Sequence, residues 1–400
     1  MTPIELKPSI YWIGVNDHET DLFEGLWPIK EVGISYNTYL IKDKKSAIID
    51  LTREMMTEPF LEQVRALIDL TAVDYIIINH MEPDHSGALS HVLELAPQAQ
   101  LVGTPKTKEM LASFYGITDR ILVVSDGETL NLGKHTLRFV HTPFVHWPET
   151  MMTLEESEHI LFSCDGFGGY GHIEDGIFDD ETAHLDRYKQ EALRYYTNIV
   201  AQYSKPVLRA INKLTGPLSM VAPSHGLIWR EHPEAIVDLY RKWAELSGQP
   251  GEPGITLLFA SMYGNTRKMA EAVARGVEKE GVPLQTFDVT RTHASHILPA
   301  LWQNRGVIIG APTYDGSLFP PMAHMLDFAA RKRIQKKTLA LFGSYAWSAG
   351  AQKDLENIIQ PLKWDLMDTY EFAGGPDQND LAQGEELGTR IARAILSAQE

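Results

Sequence analysis

The first 245 residues alternate short hydrophobic runs with turns. Runs rich in β-branched and aromatic residues predict strands: YNTYLIK, KSAIIDL, YIIIN, QLVGT, RILVV, HTLRFVHT and HILFSCD. Stretches such as EPFLEQVRALIDL and HLDRYKQEALRYYTNIVAQY repeat apolar residues at three- and four-residue steps and predict helices. Many strands with peripheral helices indicate a layered α/β domain of the αββα type.

The pattern changes after residues 247 to 254, SGQPGEPG, which contain no hydrophobic residue. Such a glycine- and proline-rich run predicts a linker. Beyond it, apolar strands such as ITLLFA and RGVIIGAP alternate with amphipathic helices such as RKMAEAVARGVEKEG. This rhythm predicts a doubly wound parallel sheet. We therefore predict domains at 1–248 and 255–400, joined by a linker at 249–254.

Charge and cysteine content narrow the possible partners and compartment. Asp and Glu total 53 against 36 for Lys and Arg, so the net charge is −17. Because such a surface repels phosphate backbones and anionic lipids, neither nucleic acid nor a membrane is an expected partner. The single cysteine, Cys164, excludes an internal disulfide and an iron–sulfur cluster held by the chain's own thiolates. With no apolar span or signal pattern, we expect a soluble, unprocessed cytoplasmic protein.

A cluster of potential metal ligands follows the predicted strand YIIIN. In NHMEPDHSG, four such side chains occupy six positions: His80, Glu82, Asp84 and His85. Mixed imidazole and carboxylate donors suit Fe, Mn or Zn. Four ligands exceed the needs of one metal with an open coordination position, so the loop predicts two metals that share it.

Two metals need about three more ligands, and other strand ends supply them. His146 ends TPFVH, Asp165 ends ILFSCD and His225 lies in VAPSHG. Asp165 is the predicted bridge, since a carboxylate can bind two metals and an imidazole cannot. Asp50, which ends SAIID, is the predicted acceptor that orients a ligand histidine. Ten other histidines, His18 among them, are expected to be ordinary structural residues.

The second predicted domain opens on a different kind of loop. In ITLLFASMYGNTRKMAEAVARG, a strand is predicted to end at Ala260 and a helix to begin near Thr266. Gly264 lets the backbone approach a ligand, and the helix N-terminus adds partial positive charge, so this loop predicts a phosphate site. It matches neither the nucleotide triphosphate nor the dinucleotide pattern. It resembles the FMN phosphate loop of flavodoxins.

Two later loops follow buried strands at positions where a flavin ring lies in that fold. GAPTYDGSLFPP and GSYAWSAGA offer backbone amides and hydroxyls for its polar edge, and Tyr314 and Trp347 for its faces. The predicted FMN contacts across the three loops are Ser261, Met262, Tyr263, Gly264, Asn265, Thr266, Pro312, Thr313, Tyr314, Asp315, Ser344, Tyr345, Ala346, Trp347, Ser348 and Gly350. The sequence thus predicts FMN as a cofactor.

The order of the metal ligands carries a family resemblance. The pattern His-x-Glu-x-Asp-His, followed by His146, Asp165 and the late histidine of SHG, resembles the metallo-β-lactamase-like domain of flavodiiron proteins. Zinc hydrolases of that superfamily usually have histidine at the second motif position, where this chain has Glu82. A carboxylate there favours iron. The family also carries a flavodoxin-like domain, so the resemblance covers the whole chain.

The resemblance implies a redox function. In flavodiiron proteins, FMN passes electrons to a non-haem diiron site that reduces dioxygen to water or nitric oxide to nitrous oxide. A head-to-tail homodimer, or a dimer of dimers, brings the FMN of one chain beside the irons of the other. No cysteine-rich rubredoxin module follows the second domain, so we expect a separate electron donor such as rubredoxin or a reduced deazaflavin.

Two other functional hypotheses stay open. One is a zinc-dependent hydrolase of the same fold, and the other is a flavodoxin-like electron carrier with a structural metal domain. Gas preference is open as well, because DLFEGLWPI places Glu24 where many family members have a histidine above the iron pocket. Glu24 can bond to an iron-bound ligand, deliver protons, or simply be solvated. Tyr195 is either a donor near the irons or a packing residue.

Overall fold

The computed structural model describes residues 2–398, and the chain separates into two compact units, Met1–Ala244 and Glu245–Glu400. The end of SGQPGEPG does not form a loop, because a strand, Glu252–Phe259, begins inside the predicted linker. Its first residue pairs with Asn304, so sheet pairing extends further than the composition suggested.

Within residues 2–398, no helix has both the length and the apolar character needed to cross a membrane.

The first unit is built from short strands and helices. Its strands are β1 (Ile4–Lys7), β2 (Ile10–Trp12), β3 (Val15–Asp17), β4 (Leu22–Phe23), β5 (Trp27–Pro28), β6 (Ile34–Tyr36), β7 (Tyr39–Ile41), β8 (Ala47–Ile49), β9 (Tyr75–Ile77), β10 (Gln100–Gly103), β11 (Ile121–Val123), β12 (Thr129–Asn131), β13 (Thr136–His141), β14 (Met151–Glu155), β15 (Ile160–Cys164) and β16 (Met220–Pro223). Its helices are α1 (Thr57–Arg65), α2 (Pro83–Ser86), α3 (Leu89–Leu95), α4 (Pro105–Tyr115), α5 (Leu185–Tyr195), α6 (Ser204–Lys213) and α7 (Pro233–Glu245). A π-helical segment, Tyr196–Val200, continues α5.

Two sheets form the core of this unit. One has the order β1-β2-β7-β8-β9-β10-β11, and β8 to β11 run parallel. The other has the order β12-β13-β14-β15-β16, and only β15 and β16 are parallel. Their inner faces share one buried cluster, in which the rings of Tyr39 and Phe162 lie 4.8 Å apart. The predicted layered α/β architecture is confirmed.

This topology places the predicted ligands at strand ends. The turn that begins with His80 follows β9, Asp165 directly follows β15, and His225 follows β16. Parallel neighbours end at the same edge of a sheet, so residues far apart in sequence can meet there. The sheets carry the packing, and the loops beyond them are free to carry chemistry.

The second unit contains one twisted parallel sheet with helices. Its strands are β17 (Glu252–Phe259), β18 (Leu284–Asp288), β19 (Asn304–Tyr314), β20 (Ser317–Leu318), β21 (Thr338–Tyr345) and β22 (Asp365–Ala373), and its helices are α8 (Asn265–Lys279), α9 (Ala294–Gln303), α10 (Pro320–Arg331), α11 (Ala351–Ile359) and α12 (Gln378–Ser397). The order β18-β17-β19-β21-β22 is parallel throughout, and the short β20 pairs antiparallel with β19. This is the flavodoxin-like strand order, and it confirms the predicted doubly wound sheet.

Glycines allow α12 to lie directly against α8. A Cβ atom on Gly388 would lie 2.1 Å from the carbonyl oxygen of Val273, and one on Gly276 would lie 1.9 Å from that of Glu385. A side chain at either position would collide with backbone atoms, which cannot move aside cheaply. The contact holds α8 in place, and the N-terminus of α8 adjoins the predicted phosphate loop.

Candidate functional site

The seven predicted metal ligands meet in one pocket of the first unit. The turn after β9 and helix α2 contribute four of them, and the loops after β13, β15 and β16 contribute the rest: His80, Glu82, Asp84, His85, His146, Asp165 and His225. The four histidines and Asp165 are buried, whereas Glu82 and Asp84 are partly exposed. The pocket is therefore closed on the core side and open on the side of Glu82 and Asp84.

One oxygen of Asp165 faces a first ligand set, formed with His80, Glu82 and His146. Asp165 Oδ2 lies 3.3 Å from His80 Nε2 and 3.1 Å from His146 Nε2. Glu82 Oε2 lies 3.2 Å and 3.0 Å from the same two nitrogens. Two imidazoles and two carboxylates thus converge on one point.

The other oxygen of Asp165 faces a second ligand set, formed with Asp84, His85 and His225. Asp165 Oδ1 lies 2.9 Å from His85 Nε2 and 3.3 Å from His225 Nε2. Asp84 Oδ1 lies 3.4 Å from His85 Nε2, and Asp84 Oδ2 lies 3.3 Å from His225 Nε2. Among the described residues, neither oxygen of Asp84 nor the Nε2 atom of either histidine has a hydrogen-bond partner.

Both ligand sets fit a metal ion. Donor atoms that surround one ion at about 2.0–2.2 Å lie about 3.0–3.5 Å from each other, which is the spacing found here. An imidazole Nε2 carries at most one hydrogen, so it cannot donate well to two carboxylates. Buried polar atoms without partners are costly unless a ligand satisfies them. The arrangement suits two ions bridged by Asp165, and its nitrogen and oxygen donors suit iron.

The three predicted FMN loops line one cavity of about 410 Å³ in the second unit. All the predicted contacts line this cavity except Gly264 and Gly350, whose N–H groups make hydrogen bonds within the loops. Gly264 N donates a hydrogen bond to Ser261 Oγ at 3.0 Å, and Gly350 N donates to Thr313 Oγ1 at 3.2 Å. These two glycines therefore stabilise the loop conformations and do not line the cavity themselves.

Sequence reasoning missed two glycines in the cavity wall. Gly316 follows a predicted contact directly, and Gly374 comes from a fourth loop, after β22. Asn265 Nδ2 donates a hydrogen bond to Gly374 O at 3.3 Å, which joins this loop to the start of α8. The glycine pair in EFAGGPD, directly after a strand, is the signal that could have found it. Tyr263 and Trp347 are about nine-tenths exposed at the cavity, 92% and 91%.

Known proteins share both units in the same order. Residues 34–226 match the family described as ODP family beta lactamase, and residues 257–387 match the flavodoxin family. The anaerobic nitric oxide reductase flavorubredoxin of Pectobacterium carotovorum subsp. carotovorum (strain PC1) is 34% identical over 397 residues, which cover 98% of this chain and 78% of that protein. This chain belongs to the flavodiiron protein family.

Solved structures of flavodiiron proteins agree with that assignment. The rubredoxin oxygen:oxidoreductase of Desulfovibrio gigas superposes with a TM-score of 0.92 at 28% identity, over 99% of both chains. The flavodiiron protein of Giardia intestinalis superposes with a TM-score of 0.93 at 26% identity, over 99% of this chain and 97% of the other. The family and the fold predicted from the sequence are confirmed.

Hydrogen bonds orient two of the predicted ligand histidines of this flavodiiron protein. His80 Nδ1 lies 2.7 Å from Glu149 Oε1, which also accepts from Met81 N at 2.9 Å. His225 Nδ1 lies 2.7 Å from the carbonyl oxygen of Ser35. A proton on each Nδ1 leaves Nε2 unprotonated towards the ligand sets, which is the tautomer a metal needs.

The orienting role predicted for Asp50 is wrong. Asp50 accepts hydrogen bonds from Asn79 N at 2.8 Å and from Asn79 Nδ2 at 3.0 Å, and not from a ligand histidine. Asp50 instead holds Asn79, the residue before His80, and so fixes the backbone from which His80 projects. Glu149, which sequence reasoning missed, has the predicted role. The sequence feature that could have identified Glu149 is its position three residues after His146, in the same loop.

Glu149→Gln should weaken metal binding by the first ligand set about 10- to 100-fold, because an amide makes His80 a poorer donor than a carboxylate does. The measurement is the metal content retained against a graded series of chelator concentrations. Glu155→Gln is the matched control, since Glu155 is equally buried and lies 3.0 Å from His135 Nδ1, outside both ligand sets. Equal metal loss in both variants would contradict the role of Glu149.

The carboxylates hold protons on the histidines when no cation is bound. Burial by itself lowers the pKa of His146 and His225, but the adjacent carboxylate of Asp165 outweighs it, helped by Glu82 in one case and Asp84 in the other. The resulting pKa is about 9 for His146 and about 10 for His225. Burial favours protonation of Asp165, yet the histidines around it hold its pKa well below the usual range. The pocket thus attracts positive charge, and a metal must displace protons to enter.

The metal-free flavodiiron protein should lose stability as pH rises. His146 and His225 bind protons more tightly in the folded state than in the unfolded state, where their pKa is 6.5. Between that pKa and about 9 to 10 the unfolded state binds fewer protons, so the free energy of unfolding falls as pH rises. Urea unfolding of chelated and metal-loaded protein across this range provides the measurement. A metal-free protein that is equally stable at both ends of the range would contradict the prediction.

A cavity of about 850 Å³ opens onto both ligand sets, with Glu82 and Asp84 in its wall. Glu24 also lines this cavity. Its φ of +52° is unusual for a residue other than glycine, and its carboxylate accepts a hydrogen bond from Trp27 Nε1 at 3.1 Å. Glu24 is therefore held at the mouth of the metal pocket.

Tyr195 lies on the inner side of the same pocket. Its ring centre is 5.7 Å from that of His225, and the side chain is fully buried. Among residues 2–398 its hydroxyl has no hydrogen-bond partner. Burial, and then the nearby charge of Asp165, raise the pKa of the phenol well above its usual value, so it stays protonated and able to donate.

Proposed function

We propose that this chain is a flavodiiron oxidoreductase that reduces dioxygen to water, nitric oxide to nitrous oxide, or both, with electrons from FMN. One observation carries the proposal: two four-donor ligand sets share Asp165 beside an open cavity, in a chain with a flavodoxin-like unit. The names of two relatives support it, since one is an anaerobic nitric oxide reductase and another an oxygen oxidoreductase.

The seven residues of the two ligand sets are the proposed iron ligands. When bound, two irons supply the redox electrons and open coordination positions for a diatomic gas, and FMN supplies a two-electron store. Asp165 holds the two positions at a fixed separation, while hydrogen bonds on Nδ1 aim His80 and His225 at them. Glu82 supplies a carboxylate where the related hydrolases have imidazole, which favours iron over zinc.

The residues around the 410 Å³ cavity are the proposed FMN contacts. The loop before α8 would hold the phosphate, because the free N–H groups of a helix N-terminus attract anions. Thr266 Oγ1 lies 3.3 Å from Ser344 Oγ, so hydroxyls of two loops meet beside that N-terminus. Tyr314 and Trp347 are placed to cover the ring.

FMN that has passed on its electrons must be reduced again, so an electron donor is part of the proposal. We propose a separate donor, such as rubredoxin or a reduced deazaflavin, and a cytoplasmic location. A net charge of −17 suits a donor with a basic face. We also propose a head-to-tail homodimer, alone or as a dimer of dimers, that places the FMN of one chain beside the irons of another.

Anaerobic purification followed by rapid mixing tests this function. The expected result is about two irons per chain with one FMN, and flavin reoxidation that keeps pace with consumption of dioxygen or nitric oxide. Zinc in the pocket, with thioester or lactam hydrolysis and no gas consumption, would instead support the hydrolase hypothesis. Unchanged gas reduction in His80→Ala would support the electron-carrier hypothesis.

A further inference from the structure

A second group of metal-competent side chains lies on the surface of the first unit. His18, His172 and Glu174 each place a ligand atom within 4.8 Å of the others. Glu174 Oε1 lies 2.8 Å from His18 Nε2, and Glu174 Oε2 lies 3.6 Å from His172 Nε2. The two imidazole ring centres are 4.5 Å apart. None of the three residues belongs to the two ligand sets.

We propose that His18, His172 and Glu174 form a separate surface site for one divalent cation of the zinc class. Two imidazoles and a carboxylate are a donor set that binds Zn²⁺ in proteins, with water in the remaining position. The three side chains are 46%, 30% and 56% exposed, so a cation can enter directly from solvent. We call these three residues the surface triad.

The backbone holds His18 in position before any cation binds. Asp17 is fully buried, and its Oδ1 accepts hydrogen bonds from Glu19 N at 2.9 Å and Thr20 N at 3.0 Å. Asp17 also pairs with Ile34 in the ladder between β3 and β6. His18 therefore projects from a turn that is fixed on both sides, and little ordering is needed on binding.

The backbone holds His172 just as firmly. His172 N donates to Val32 O at 2.9 Å, and its carbonyl oxygen accepts from the hydroxyl of Tyr188 at 2.6 Å. His172 Nδ1 is buried, has no hydrogen-bond partner within the described part of the chain, and faces Gly33, where a Cβ atom would lie 3.0 Å away. The nitrogen open to solvent is therefore Nε2, on the side of Glu174.

An ion pair between Glu174 and His18 accounts for only one of the two contacts between Glu174 and the histidines. Glu174 lies 2.8 Å from Nε2 of His18, whereas its 3.6 Å distance to Nε2 of His172 is too long for a hydrogen bond. The second imidazole therefore approaches the carboxylate without bonding to it, which leaves room for an ion between them. Sequence reasoning took His18 for an ordinary residue, because its companions in GHIED lie 154 and 156 positions further along the chain.

Zinc uptake by the holoprotein tests the surface triad. Protein carrying its resident metals is dialysed against micromolar ZnCl₂, and iron and zinc are counted by elemental analysis. Wild type should take up one zinc per chain and keep its iron. Glu174→Gln and His172→Ala should weaken zinc binding roughly tenfold or more and leave iron content unchanged.

His232→Ala is the matched control, since His232 Nδ1 lies 3.8 Å from Glu234 Oε1 on the surface without a second imidazole. It should bind zinc as wild type does. Zinc should also raise the unfolding temperature of wild type and of the control, but not of Glu174→Gln, which keeps the size of the side chain. Zinc uptake that displaces iron, uptake that persists in Glu174→Gln, or no uptake at all would overturn the proposal.

Discussion

Asp165→Ala is expected to remove both metal ions at once. Each carboxylate oxygen of Asp165 faces a different ligand set, so this one substitution takes a donor from both. It also removes the negative charge between the two ligand sets, so two cations held there would repel each other more strongly. Gas reduction should fall roughly 1,000-fold or more, because bound metal supplies several kcal/mol of transition-state stabilisation.

Single-histidine variants test whether the loss of both metal ions is specific to the substitution of Asp165. His80→Ala takes a donor from the first ligand set only, and His225→Ala from the second only. Each should retain about one iron per chain, with three donors left for the weakened position. Iron content, measured beside FMN content as a check on the second unit, distinguishes the cases. Asp165→Ala protein that retains one iron would mean that the two sets do not depend on a shared carboxylate.

Asn265→Asp is expected to weaken FMN binding roughly 100-fold or more. Asn265 is the first residue of α8, and the exchange replaces an amide by a carboxylate of almost the same shape. An acidic residue is favourable at a helix N-terminus, so the apoprotein should fold normally. Two like unit charges a few ångströms apart at the dielectric of a protein surface repel by about 3 kcal/mol, so the added carboxylate should weaken affinity for a phosphate roughly 100-fold or more.

Asn265→Ser separates charge from shape in this experiment. Serine is neutral and can still donate a hydrogen bond, so FMN affinity should fall by a few fold at most. Titration of each apoprotein with FMN, followed by quenching of flavin fluorescence, gives the two affinities. The phosphate assignment fails if both variants bind FMN equally well. Repeating the titration with riboflavin, which lacks the phosphate, should abolish the difference between them.

The parts of the site that could be predicted are those encoded locally. NHMEPDHSG places four donors within six residues, and no long-range contact is needed to see that they can share a metal. Strand ends such as ILFSCD are equally visible, because a buried run that stops at an acidic residue marks a loop at the sheet edge. Asp165 is the predicted bridge among those strand-end ligands because a carboxylate can bind two metals, and its two oxygens do face the two ligand sets.

The parts that could not be predicted depend on contacts between distant loops. Glu149 orients His80 only because the loop after β13 folds back over the turn after β9. No local pattern distinguished it from Asp50, which also follows a buried strand. The division of the histidines between the two oxygens of Asp165 is likewise a matter of tertiary geometry. The same applies to the surface triad, in which His18 meets partners from a loop remote in sequence.

None of the seven proposed metal ligands lies within a β-strand; each sits in a turn, a loop or the four-residue helix α2. Glu82 is the clearest case, since it is the residue before α2 and is partly exposed at the cavity. Natural selection can therefore alter the metal without disturbing the residues that make the protein fold. A substitution at Glu82 would exchange a donor atom offered to the metal while the residues that build both sheets stay as they are, so the choice of ion and the stability of the fold can vary independently.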